Sequence, residues 1–310
     1  MTLRPFRFAV QTGPFQDPIA LRTFAQQIEA LGYDELYSFD HIGRRGNAAV
    51  DPFVPLLIAA EATTTLRVGP LVLNNELHHP ALLARTAISV DQMTSGRLVL
   101  GLGTGYAQVE HDAIGMRLLP PGQRVSRFAE SLQIVRSLCD NGSCSYSGEY
   151  HTVAVEEMGI RPTQEHIPFL IGGHGKRVVG LAGRHADIFQ FTGLVHAEDG
   201  TPTAGGFPFD QIQQRAQWLA DAAGDRDADI ERSSLAQLTA LDADAPDDNT
   251  LIERYKMDAD EIAKTPFVLV GSTEQVVDKI ERLREQLGIS HYVVRDPEGF
   301  APIVEALAGR

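Results

Sequence analysis

The chain has 310 residues, enough for one large domain or two ordinary ones, and its 43% hydrophobic and 22% charged content is that of a globular protein. A formal net charge of −14, spread along the chain, argues against nucleic acid as the main partner but leaves room for an anionic small molecule in a local pocket of donors. No run of eighteen apolar residues suggests a membrane span, the N-terminus lacks the apolar core of a signal peptide, and the two cysteines, Cys139 and Cys144, read as reduced thiols of a cytoplasmic protein.

In chain order, FRFAVQTG (6–13) reads as a buried strand that ends in a turn. DPIALRTFAQQIEALG (17–32) reads as a helix with Asp17 as cap, Pro18 in the first turn and Gly32 at the end. ELYSFDH (35–41) is the second strand, a helix follows over 52–62, and LRVGPLVLN (66–74) is the third strand. PALLARTAISVDQMT (80–94) is the next helix and RLVLGLG (97–103) the fourth strand. Later come a helix over 126–139 and strand-like segments at 168–173, 186–191, 233–241 and 291–296. The helix 272–288 starts with Ser272 and Gln275 in capping-box spacing and ends at Gly288.

Apolar strands that alternate with helices predict a parallel sheet covered on both faces. Eight such strands count to an α/β (β/α)8 TIM barrel, with a doubly wound open sheet as the second fit. No linker divides the chain, so one domain is expected over 1–310. Three intervals exceed plain loops. The first, 106–167, is an insertion that contains a helix and a small hairpin. The second, 192–208, is polar, Gly-rich and a candidate lid. The third, 242–266, looks acidic and irregular.

Chemistry is expected at the C-terminal ends of the barrel strands. Asp40 and His41 end strand 2, where a histidine can exchange a proton with a substrate; a loop-capping role competes equally. Asn74 and Asn75 close strand 3, fit either to bind a ring edge or to form a turn, and His78 and His79 follow as loop residues. GLGTGY (101–106) is not a dinucleotide fingerprint. Its glycines suit close approach of a flat ring or of a neighbouring backbone. LIGGHGKR (170–177) is the better phosphate candidate, with glycines, Lys176 and Arg177 where a helix opens. No metal-ligand spacing is present.

Taken together, YDELYSFDHIG, EATTTLRVGPLVL, HPALLARTAISVDQMTSGRLVLGLGTGY and SGEYHTV leading into PFLIGGHGKR resemble the luciferase-like monooxygenase superfamily. Within it the chain is most similar to the actinobacterial oxidoreductases that use the deazaflavin coenzyme F420; relatives that use FMN are the alternative. The resemblance implies a homodimeric (β/α)8 barrel that transfers a hydride between the deazaflavin and a small organic substrate. His41 would lie beside the reactive ring, Thr104 and Gly105 would follow it, and Gly172, Gly173, His174 and Gly175 with Lys176 would take the phosphate. Asp40, Asn74 and Asn75 would complete the ring site, with a non-proline cis peptide expected at Asn74–Asn75. Relatives that oxidise phosphorylated sugars carry a glutamate where this chain has Tyr106, so sugar-phosphate oxidation is not carried over. Tyr106 is left as the candidate proton donor, and Glu110 is the nearest carboxylate. An FMN-dependent two-component monooxygenase and a non-catalytic flavin-binding barrel are the competing readings.

Overall fold

The computed structural model describes residues 3–13, 15, 17–43, 50–196 and 201–310. Its strands, in chain order, begin with β1 (Arg7–Gln11), β2 (Glu35–Ser38), β3 (Arg67–Pro70), β4 (Leu73–Asn74) and β5 (Leu100–Gly103). They continue with β6 (Cys144–Ser147), β7 (Thr152–Val155), β8 (Phe169–Gly172), β9 (Ile188–Phe191), β10 (Val195–His196) and β11 (Pro202–Thr203). The last are β12 (Glu231–Leu235), β13 (Leu238–Leu241), β14 (Val268–Gly271) and β15 (Ile289–Val294). Helices separate the parallel strands, which is the (β/α)8 class predicted from the alternation of apolar segments. The chain divides into two compact units: Gly13–Gln26 with Leu36–Ile171, and Met1–Thr12 with Gln27–Glu35 and Gly172–Arg310.

In the first unit β3 lies beside β2, and β4, β5 and β8 follow one another. Leu73 is in parallel register with Leu102, and Gly101 with Leu170. The predicted strand 66–74 is interrupted between β3 and β4 by a non-proline cis peptide at Leu71–Val72. The expected position, Asn74–Asn75, is instead the entry to a 3₁₀ turn, Asn75–Leu77, whose cap is Asn74. The 106–167 insertion holds a short helix (Gln108–Ala113), a long one (Pro121–Asn141) and the predicted antiparallel hairpin, β6 with β7. Cys139 and Cys144 are free thiols.

In the second unit the order is β1, β15, β12, β9, all parallel. Phe8, Ala9 and Val10 are completely buried, and every residue of β15 is buried. Arg7, Glu35 and Glu231, the first residues of β1, β2 and β12, form ion pairs of 2.6 Å and 2.9 Å, and His291 meets Glu35 at 2.6 Å. This cluster, buried except for the partly exposed Arg7, stands toward the strand beginnings, the end that serves stability rather than catalysis in this architecture.

Two expectations for this unit need correction. The predicted strand 233–241 is two strands, β12 and β13, and β13 pairs in parallel with the unpredicted β14. A four-residue apolar run such as VLVG carries too little periodicity to be told from a helical segment. The interval 242–266, expected to be irregular, carries the helices Asp248–Tyr255 and Ala259–Lys264. Its acidity is partly capping chemistry: Asp247 accepts the Thr250 amide and Asp258 that of Glu261, both at 2.8 Å. The 192–208 segment contains the β10–β11 ribbon; residues 197–200 of this candidate lid lie outside the described residues. The capping box at Ser272 and Gln275 forms as predicted, and Gly288 ends the helix with φ +72°.

Lys279, on that helix, is buried and donates to the carbonyls of Ile262 at 3.0 Å and Val268 at 2.7 Å. It thereby ties β14 to the preceding helix. No carboxylate among the described residues balances it, and burial brings its pKa down to about 7. The unfolded chain holds this proton up to the ordinary lysine range, so above pH 7 the unfolded state binds more protons and stability rises with pH. The wild-type advantage over Lys279→Met in urea unfolding is expected to grow by about 2 kcal/mol between pH 7 and pH 9. Parallel pH curves for the two proteins would contradict the burial argument.

Candidate functional site

Gly101 and Gly103 within strand β5, and Gly105 just after it, make room for the neighbouring 70–74 segment. A Cβ on Gly101 would stand 1.9 Å from the Pro70 carbonyl oxygen, and one on Gly103 would stand 2.6 Å from the Val72 side chain. Gly105, at φ +72°, would meet Asn74 Oδ1 at 1.9 Å. Of the two readings of GLGTG, a close ring or a close backbone, the contacts at these glycines are with the 70–74 segment. The bare strand lets the cis-peptide bend between β3 and β4 lie against it.

That bend is fixed from strand 2. Asp40 Oδ2 accepts the Asn74 amide at 2.9 Å and meets His78 Nε2 at 3.0 Å. Asn74 Oδ1 accepts the Glu76 amide at 3.1 Å. Both Asp40 and Asn74 are therefore engaged in holding the loop after β4. His79 caps the helix Pro80–Met93 through Nδ1, the loop role expected of it. Asn75 is 2% exposed, and its Nδ2 has no hydrogen-bond partner among the described residues. Beside it Glu76, also buried, is paired with Arg127 at 3.2 Å, a contact that nothing in the local sequence marks.

His41 is the centre of a three-residue chain. Its Nδ1 is 2.8 Å from Glu110 Oε1, and Glu110 Oε2 accepts the Ile42 amide at 3.2 Å. The Tyr106 hydroxyl stands 3.5 Å from His41 Nε2, with the two rings edge to face. The His41 side chain is 38% exposed and that of Glu110 only 6%. A buried carboxylate that already accepts a backbone amide accepts again from Nδ1–H, so the ring proton sits on Nδ1 and Nε2 presents its lone pair. In the sequence Glu110 stands out only as the nearest carboxylate. Its signal is spacing: it follows Tyr106 by four residues, across the start of the Gln108–Ala113 helix. Thr104 and Gly105, both half-buried, lie between β5 and Tyr106.

Gly172, Gly173, His174, Gly175 and Lys176 belong to the other unit. A Cβ on Gly173 would stand 2.5 Å from Val178, whereas one on Gly175 would meet nothing within 4 Å. Gly175 is the N-cap of the helix Lys176–His185 and offers no side-chain cap, and the space beside its Cα is open. Such an end can hold an anion. Lys176 is exposed at this end. His174 is engaged with other groups. Its Nε2 lies 2.8 Å from the Leu194 carbonyl and 3.0 Å from Thr192 Oγ1, and its Nδ1 lies 3.1 Å from Arg215 Nη1. Nothing in the helical surroundings of Arg215 marks it in the sequence.

The model of the luciferase-like monooxygenase family matches residues 1–204. A protein of Microbacterium testaceum named F420-dependent glucose-6-phosphate dehydrogenase is 26% identical over 317 residues, covering 94% of this chain and 92% of that one. Among solved structures, an F420-dependent secondary alcohol dehydrogenase in complex with an F420–acetone adduct superposes with a TM-score of 0.75 at 17% identity, covering 98% of both chains. The oxygenating constituent of 3,6-diketocamphane monooxygenase from Pseudomonas putida, in complex with FMN, reaches 0.71 at 17% identity over 98% of both chains. These two show the shared fold. Because the family's model matches residues 1–204, well over half of this chain, the chain belongs to the luciferase-like monooxygenase family.

Proposed function

We propose that the protein is a coenzyme F420-dependent oxidoreductase acting on a small organic substrate that carries a hydroxyl or carbonyl group. The observation that carries this reading is the buried Glu110 carboxylate against His41 Nδ1, which leaves Nε2 ready to exchange a proton. The relative from Microbacterium testaceum supports the choice of coenzyme.

The residues present fit the coenzyme on two counts. The uncapped helix start at Gly175 has open space where a phosphate would sit, and Gly172, Gly173 and Lys176 flank it. The orphaned Nδ2 of buried Asn75 is a donor that a ring carbonyl would satisfy. When bound, the coenzyme supplies hydride transfer at the central carbon of its deazaflavin ring. The protein's own part is positional and protonic. His41 Nε2 takes a proton from a substrate hydroxyl in one direction and returns it in the other. The Tyr106 phenol, neutral at pH 7, orients substrate beside it and can donate. Thr104 and Gly105 shape the edge of the ring site, and Asp40 and Asn74 hold the loop on which Asn75 stands. By family resemblance the protein works as a cytoplasmic homodimer.

Equilibrium titration with coenzyme F420 and, separately, FMN, followed by ring fluorescence, tests the reading. F420 is expected to bind saturably and at least about tenfold more tightly than FMN, a difference of about 1.4 kcal/mol. Tighter binding of FMN would move the protein to the flavin-dependent monooxygenases. Binding of neither would overturn the coenzyme assignment.

A further inference from the structure

Arg215 is a buried cation that meets no carboxylate among the described residues. It lies on the helix Phe209–Ala223 and is 3% exposed. Every hydrogen bond it makes goes to a neutral group. Nε donates to the Gln211 carbonyl at 3.1 Å, and Nη1 donates to the Thr192 carbonyl at 2.7 Å and to His174 Nδ1 at 3.1 Å. Nη2 donates to the Gly206 carbonyl. Burial alone lowers its pKa, to about 10, so the guanidinium still carries its charge at neutral pH. A buried charge is costly unless an opposite charge offsets it. None of the carboxylates among the described residues does so here.

The guanidinium fixes the state of His174. It can only donate, so His174 Nδ1 must accept and the ring proton must sit on Nε2. That proton then points to the Leu194 carbonyl, with Thr192 Oγ1 beside it. The ring packs close over the bare Cα of Gly206, where a Cβ would stand 2.8 Å from His174 Cε1. His174 is thus clamped between the segment that follows β9 and the Arg215 helix. It is flanked by Gly173, which packs on Val178, and by Gly175, which opens the anion-facing helix end.

We propose that Arg215 is the positioning residue of the phosphate site, setting the Gly173–Gly175 turn through His174 and supplying a positive charge that a bound phosphate balances. This rests on the phosphate role given to that turn above. Arg215 does not touch the ligand; it acts through the ring of His174 and through its field in a poorly solvated interior.

The test compares wild type, Arg215→Met, His174→Gln and His174→Leu with three probes: coenzyme F420, the same deazaflavin stripped of its phosphate side chain, and inorganic phosphate as a thermal stabiliser. Arg215→Met is expected to weaken F420 by about tenfold or more while the phosphate-free deazaflavin binds within about twofold of wild type. Glutamine at 174 can accept from Arg215 and donate to Leu194, so His174→Gln is expected to keep F420 affinity within about threefold and His174→Leu to lose it as Arg215→Met does. Equal loss of both deazaflavins, or no loss of either, would overturn the proposal, because a merely structural residue would not discriminate between them. Inorganic phosphate is expected to raise the melting temperature of wild type and not of Arg215→Met. If F420 fails to bind wild type but phosphate protects it in this Arg215-dependent way, the coenzyme reading falls and the clamp stands. If phosphate protects both proteins equally, or neither, the clamp falls. If Arg215→Met does not fold, the His174 pair decides in the same terms.

Discussion

Replacing His41 with alanine is expected to lower turnover by about 10²- to 10⁴-fold while F420 binds within about threefold of wild type. The reason is a division of labour. His41 is the exposed member of its chain of contacts, and its Nε2 is the atom directed away from the buried Glu110. Loss of the imidazole would remove the proposed proton acceptor and leave intact the parts proposed for coenzyme binding, namely the Gly173–Gly175 turn and the loop that Asp40 holds. Rapid mixing of enzyme, coenzyme and a panel of alcohols or carbonyl compounds reads the effect as a fall in kcat without a matching rise in coenzyme Kd. A variant that turns over as fast as wild type would remove His41 from the mechanism. A wild-type protein that binds coenzyme tightly and turns over nothing on the panel would favour the non-catalytic binding protein instead.

The fold is largely legible in the sequence because its signals are periodic and local. Buried strands such as Phe8–Val10 and Leu100–Leu102 are unbroken apolar runs, and helices such as Thr273–Leu287 carry their own start and stop residues. The elements that escape such a reading depend on tertiary partners. β14 is a short apolar run that becomes a strand because β13 pairs with it. The acidic stretch before it becomes helical because Asp247 and Asp258 find amides to cap.

The candidate site is legible as positions and not as pairings. Asp40, His41, Asn74 and Tyr106 stand at the ends of strands, as expected, but the sequence does not tell which of them face a ligand. Asp40 is engaged in holding Asn74 and His78, His174 in a contact with Arg215, and the glycines of GLGTG in admitting the bend at Leu71–Val72. Conversely, Glu110 gains its significance only when the Gln108–Ala113 helix brings it to His41, 69 residues away. A side chain's chemistry is set by what it bonds to, and long-range bonds leave no mark on the local pattern.

Glu110→Gln is expected to be more damaging than Glu110→Ala, an inversion of the usual ranking of conservative and truncating changes. The two carboxylate oxygens accept from two donors, His41 Nδ1–H and the Ile42 amide. A glutamine keeps one oxygen and exchanges the other for NH₂. If its oxygen faced His41, the NH₂ would confront the Ile42 amide, donor against donor. The stable arrangement therefore leaves the oxygen on Ile42 and turns the NH₂ to Nδ1, which must then accept. The ring proton moves to Nε2, and the atom assigned to take the substrate proton becomes a donor. Loss of the right tautomer through such a carboxylate-to-amide change has cost about 10⁴-fold in a serine protease triad, so a fall in kcat of about 10²- to 10⁴-fold is expected here. Alanine removes the carboxylate but imposes no tautomer, and about 10- to 10²-fold is expected. The signature is the order of the two variants in kcat, with F420 affinity near wild type in both. Glutamine as active as glutamate, or alanine worse than glutamine at matched stability, would mean that Glu110 holds the loop at Ile42 and leaves His41 free to choose its own proton.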